Sequence, residues 1–87
     1  MANLYLLGAP AGRNGLALAE RDEAAAVVLI QDGVYLDVKC LAGKKVYAVR
    51  KDVEKRGLAS RLPGSVELID YGKLVDLVLE NKVINFA

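Results

Sequence analysis

Ala26-Val27-Val28-Leu29-Ile30 runs without interruption into Gln31-Asp32-Gly33-Val34-Tyr35. Consecutive apolar residues, mostly β-branched and with no polar residue to face water, read as a strand buried on both faces. The polar Gln31-Asp32-Gly33 closes that strand, and Asp32 is a good N-cap for a following helix. Working outward, the same kind of run recurs at Leu4–Leu7, Val46–Val49 and Val66–Ile69. A fifth run, Val83-Ile84-Asn85-Phe86, alternates in polarity and reads as an edge strand.

The intervening segments read as helices. Residues Asn14 to Ala25 are Ala-rich with interspersed charges. After Asp32, Val34, Val38 and Leu41 fall at i, i+4 and i+7 and predict one helical face. A short third helix is capped by Asp52 and stopped at Gly57-Leu58. Asp70 caps a last helix, where Tyr71, Leu74, Val75 and Val78 read as the buried stripe. Leu77 and Leu79 lie off that stripe and point to a second covered face. Strands alternating with helices imply crossover connections. The expected architecture is α/β: a three-layer α/β/α sandwich around a small, mainly parallel sheet of four to five strands. Residues 1–87 read as a single domain, with strand order left open.

The chain has 87 residues, 54% of them apolar and 26% charged, a globular composition. A domain this short buries only roughly 60–65% of its unfolded surface. The apolar fraction is high for that size, so other subunits are expected to cover part of the surface. Lys plus Arg number 12 and Asp plus Glu 11, a net charge of +1, which excludes a binder of nucleic acid working by charge alone. Tyr5, Tyr35, Tyr47 and Tyr71 are spread along the chain rather than forming a stacking platform, so no direct nucleic-acid binding is expected. Without histidine, imidazole-based catalysis is excluded. The single cysteine, Cys40, cannot form a disulfide within the chain, and no metal or cofactor is implied. No leader is visible, and the longest apolar run, Ala24 to Ile30, is far short of the about 20 residues that span a bilayer. A cytoplasmic protein without a membrane segment is the expectation.

In open parallel sheets, ligands bind beyond the carboxyl ends of the strands. Four loops qualify. Gly8 to Gly15, with Gly12 inside it, is either a plain connection or a cradle for an anion. It matches neither a phosphate-binding Walker loop nor a dinucleotide fingerprint. Gln31, Asp32, Gly33 and Tyr35 form either a strand-to-helix cap or a contact surface, with Tyr35 offering a hydroxyl on an apolar ring. Arg50, beside Lys51 and Asp52, is either solvated or set to meet phosphate or carboxylate. Asp70 caps, while Tyr71 packs or reaches across an interface. Cys40 is the only soft nucleophile. A helix C-terminus raises a thiol pKa, whereas Lys39, Lys44 and Lys45 oppose that. A small buried hydrophobe and a persulfide carrier are the two readings of Cys40, and no catalytic residue is assigned.

The run Val27 to Tyr35 is distinctive. With it go Val46-Tyr47-Ala48-Val49, Asp52-Val53-Glu54-Lys55-Arg56-Gly57-Leu58 and Val66-Glu67-Leu68-Ile69-Asp70-Tyr71 leading into Leu74-Val75-Asp76-Leu77-Val78. In this order and spacing they resemble the DsrH/TusB family of the DsrE/F/H superfamily over about residues 26 to 86. The first 25 residues match only in their strand-then-helix character. The resemblance implies a small α/β/α fold and a place in a TusBCD complex, which relays persulfide sulfur to 2-thiouridine at the tRNA wobble position. DsrEFH complexes of sulfur oxidisers are the related case. The implied partners are TusC/TusD-like or DsrE/F-like subunits. The resemblance implies that the relay cysteine belongs to the sister subunit TusD or DsrE, where it lies just past the third strand. The matching stretch here, Ala48-Val49-Arg50-Lys51, holds no cysteine, so that role is not carried over.

Three functions therefore stand side by side. The first is a non-catalytic subunit of a sulfur-relay complex. The second is a stand-alone homo-oligomer that binds a small anion or sulfur species at its loops. The third is an enzyme carrying persulfide on Cys40.

Overall fold

The computed structural model describes residues 2–8, 11–41, 43–58 and 60–86. Strand β1 (Asn3–Leu7) leads into helix α1 (Gly12–Arg21) and strand β2 (Ala25–Leu29). Two 3₁₀ turns, Gln31–Tyr35 and Lys39–Leu41, precede strand β3 (Lys45–Val49). Helix α2 (Arg50–Lys55), strand β4 (Val66–Ile69), helix α3 (Tyr71–Glu80) and strand β5 (Lys82–Phe86) follow.

All five strands pair in parallel in the order β4-β3-β2-β1-β5. From β1 to β4 each step moves one place in the same direction. Right-handed crossovers therefore put α1, the 3₁₀ turns and α2 on one face. Only α3 travels back across the sheet, and so it alone lies on the other face. The three layers expected from sequence are present, and the sheet is wholly parallel.

The pleat sends alternate residues to the two faces. On the first face Tyr5, Leu7, Val27, Leu29, Val46 and Ala48 pack with Ala19, Val34, Val38, Leu41, Val53 and Leu58. On the second, Leu4, Ala26, Val28, Tyr47, Val49 and Ile69 pack with Leu77. β2 is the central strand and all five of its residues are buried, which is why its sequence carries no polar alternation. β5 is an edge strand with alternating exposure, as its sequence predicts.

Several local expectations are corrected. The segment after Gln31 is not one helix. Leu36 is extended, with φ −67° and ψ 142°. The Asp37 carboxylate accepts the Lys39 amide at 3.0 Å, a local bond that competes with helix. Val34, Val38 and Leu41 are all buried, but by two separate turns. Asp32 makes no capping bond there. Nor does Asp52 cap α2, which starts earlier at Arg50 behind Val49. The stop of α2 is as expected. Gly57 takes φ +66°, its amide donates to Glu54 O, and the Leu58 amide donates to Val53 O, a Schellman closure. In α3 the residue buried against the sheet is Leu77, with Leu74 half-buried. Tyr71, Val75, Val78 and Leu79 are exposed. The stripe read from sequence is thus rotated away from the sheet.

Helix α1 begins earlier than its expected Asn14 and ends at Arg21, where Asp22 takes over. The Asp22 carboxylate accepts from Asn3 Nδ2 at 2.8 Å, the Ala24 amide at 2.9 Å and the Tyr5 hydroxyl at 2.9 Å. These bonds, Asn3 first, hold its carboxyl below the usual carboxylate range. Burial, and then Asp22 itself, push the Tyr5 hydroxyl up. A depressed carboxylate pKa adds stability that is present above the unfolded value, about 4, and is lost as pH falls through the folded one. Asp22→Asn is expected to flatten that acid limb in urea midpoints measured below about pH 4. An unchanged slope would refute the role of Asp22.

Candidate functional site at the carboxyl ends of the strands

Because the sheet is wholly parallel, every carboxyl end lies on one rim. The chain leaves β3 into α2 on the first face and leaves the neighbouring β4 into α3 on the second. Adjacent strands whose connections diverge in this way open the crevice where α/β sheets bind ligands. Arg50 and Lys51 start α2 on one side of it, and Asp70 and Tyr71 start α3 on the other. Lys51 Nζ lies 5.9 Å from the Tyr71 ring centroid, so these two loops meet. The Asp70 carboxylate accepts the Lys73 amide at 2.8 Å and is committed to capping α3.

The other two loops meet each other. Gly8 is buried and its amide donates to Phe86 O at 3.1 Å. A Cβ on Gly33 would fall on the Leu7 carbonyl oxygen and lie 3.0 Å from Gly8 Cα. A Cβ on Gly12 would lie 3.0 Å from Leu36 Cδ1. These glycines let the Gln31–Tyr35 turn lie directly on the end of β1 and the start of α1. Ala9 and Pro10, between Gly8 and Gly12, lie outside the described residues.

A polar tie joins the two halves. Gln31 takes φ +49° at the end of β2, a left-handed conformation that costs a non-glycine residue roughly 1 kcal/mol. Its amide donates to Asp52 Oδ2 at 2.8 Å, which holds the turn in that shape. Arg56 Nε donates to Asp32 Oδ1 at 2.9 Å, and Arg56 Nη1 donates to Asp52 O at 3.2 Å. Asp32 is 59% exposed, so its ion pair adds at most about 1 kcal/mol and serves mainly to fix position. Tyr35 points outward and is 61% exposed.

Gly8, Gly12, Gln31, Asp32, Gly33, Tyr35, Arg50, Asp70 and Tyr71 thus share one rim. Asp52, read from sequence only as a helix cap beside Arg50, and Arg56, given no site role there, hold it together. Their i, i+4 spacing was the available signal. Cys40 is elsewhere. It sits in the turn Lys39–Leu41, shortly before β3 begins and beside Glu20 near the end of α1, at the opposite, amino end of the sheet. It is exposed. Partial burial first, then the Glu20 carboxylate, push its thiol up, which lowers the thiolate fraction. Among the described residues no group of three His, Cys, Asp or Glu gathers to hold a metal ion. Among them, too, no helix is long and apolar enough to cross a membrane. The rim offers cations, tyrosine hydroxyls and backbone for binding, and its described side chains include no thiol.

Residues 15–84, most of the chain, match the family described as DsrH like protein. The chain belongs to the DsrH family. This DsrH-like chain is 37% identical over 71 residues to Protein TusB of Pectobacterium parmentieri, covering 69% of this chain and 72% of that protein. It is 36% identical over 72 residues to Protein TusB of Escherichia coli K12, covering 74% and 73%. Protein TusB of Pectobacterium atrosepticum is 33% identical over 75 residues, covering 74% and 76%. The matched residues include the whole Gln31–Tyr35 turn, α2 and α3, so the rim lies almost entirely inside the family region.

Proposed function

We propose that this chain is a non-catalytic subunit of a sulfur-relay complex of the TusBCD or DsrEFH kind, acting in the cytoplasm. Its sister chains would carry the persulfide, and in the TusBCD case the sulfur would pass toward 2-thiolation of the tRNA wobble uridine. The observation that carries this reading is the similarity to proteins named TusB over about 70% of the chain. The placement of Cys40 supports the non-catalytic half of it. A relay thiol must be nucleophilic and must face the partner's sulfur, whereas Cys40 is turned away from the rim and has a raised pKa.

A tagged pull-down from the native cells, read by mass spectrometry, tests the reading. Co-purification of TusC/TusD-like or DsrE/F-like chains, one bearing an alkylatable cysteine, is the expected result. Recovery of this chain without them overturns it. In the recovered complex, Cys40→Ser is expected to leave transfer of labelled sulfur within about twofold of the parent. Loss of transfer would move the relay onto Cys40.

A further inference from the structure

Where the backbone of this chain turns left-handed it uses glycine, at Gly43 with φ +86° and at Gly57 with φ +66°. Gln31, at φ +49°, is the exception among the described residues. Glycine would take that conformation at no steric cost, so a side chain kept there is kept against strain. No described residue uses that side chain. Gln31 is exposed, and among the described residues its carboxamide makes no hydrogen bond, whereas its backbone amide donates to Asp52 Oδ2 at 2.8 Å.

The backbone beneath it is pinned from both neighbouring strands. Gln31 follows β2, the central strand. On one side the Ile30 amide donates to Leu7 O at 3.0 Å at the end of β1, and on the other Asp52, in the helix that follows β3, holds the Gln31 amide. The Gly33 amide closes the turn on Ile30 O at 2.8 Å. The side chain therefore leaves the middle of the rim from a fixed point, which lowers the entropy lost when it meets a partner. We propose that the Gln31 carboxamide is a contact residue for a sister subunit and meets a backbone peptide group of that chain. A carboxamide both donates and accepts and carries no charge, the same complement as a peptide group. The acids beside it are already engaged, Asp32 by Arg56 and Asp52 by the Gln31 amide. Reading an adenine edge is the other common use of a glutamine amide, but a net charge of +1 gives RNA little hold on this chain. The contact rests on the relay reading for the identity of its partner.

Gln31→Gly and Gln31→Asn separate the side chain from the turn. Glycine and asparagine both adopt the left-handed conformation readily, but the first removes the carboxamide and the second draws it back by one methylene. The TusC/TusD-like or DsrE/F-like chain that co-purifies with the parent is titrated against the immobilised full chain by biolayer interferometry. Both variants are expected to bind it about tenfold or more weakly than the parent. The urea midpoint of each isolated variant is expected at or above the parent's, since strain is relieved. A merely structural role for Gln31 predicts parent-like binding by both variants, and that result overturns the contact alone. Weaker binding with a lowered urea midpoint also overturns it, because the turn and not the carboxamide was then lost. Parent-like binding of the sister chain with loss of tRNA retention by the complex assigns Gln31 to RNA instead. A parent that recovers no sister chain overturns the relay reading, and the contact with it.

Discussion

Gly33→Ala is expected to lower the stability of this chain by about 3 kcal/mol or more, at the top of the range for overpacking. The new Cβ would clash with the Leu7 carbonyl oxygen and lie 2.7 Å from the Leu7 carbonyl carbon and 3.0 Å from Gly8 Cα. All of these are backbone atoms, so no side chain can swing aside. The Leu7 carbonyl accepts the Ile30 amide at 3.0 Å, and the Gly33 amide donates to Ile30 O at 2.8 Å. Moving Gly33 away therefore pulls on the end of the β1–β2 ladder itself. A chain of this length has roughly 4–13 kcal/mol in total, so the change removes a large share of it. In thermal unfolding it corresponds to a fall of roughly 12–24 °C. Gly64→Ala is the control. Its Cβ meets nothing within 4 Å, and the change is expected to stay within about 0.5 kcal/mol. Equal effects at the two glycines would refute the close approach of the turn to β1.

What the sequence made legible follows from which interactions are local. The five strands are apolar runs whose residues carry their own signal, and each lies within one or two residues of its expected bounds. Gly57 and Asp70 act through bonds to residues no more than four positions away, so their roles as helix stop and cap were readable. Asp32 and Asp52 were misread because their partners are distant. Arg56 reaches Asp32, 24 residues away, and Gln31 reaches Asp52, 21 residues away, only because β2 and β3 are neighbours. Strand order is not written in the run pattern. The rim loops could therefore be named one by one, while their pairing, Gly33 on the end of β1 and Lys51 over Tyr71, could not. Cys40 shows the same limit. Its neighbour Glu20 comes from α1 and reinforces the rise in thiol pKa that the nearby lysines would oppose.

Leu77→Ala is expected to cost about 2–5 kcal/mol, the usual range for removing a buried leucine, whereas Val75→Ala is expected to stay within about 0.5 kcal/mol. The contrast tests which way α3 faces. Its apolar residues, Leu74, Val75, Leu77, Val78 and Leu79, spread over about 200° of the helix circumference, wider than one buried stripe. Periodicity alone therefore cannot choose the buried side, and the expected stripe of Tyr71, Leu74, Val75 and Val78 would have put Val75 in the core. The chain path decides it. α3 must cross from the β4 edge to the β5 edge, over a face where Leu4, Val28, Val49 and Ile69 need cover. Leu77 is 6% exposed and is the buried residue of α3 in that cluster. Among the described residues no other helix covers this face, so losing Leu77 leaves a gap with no neighbouring helix to close it. Amide hydrogen exchange is expected to show α3 opening well before the sheet in Leu77→Ala, a local rather than global loss. Similar costs for the two substitutions, or a larger one for Val75→Ala, would turn α3 around.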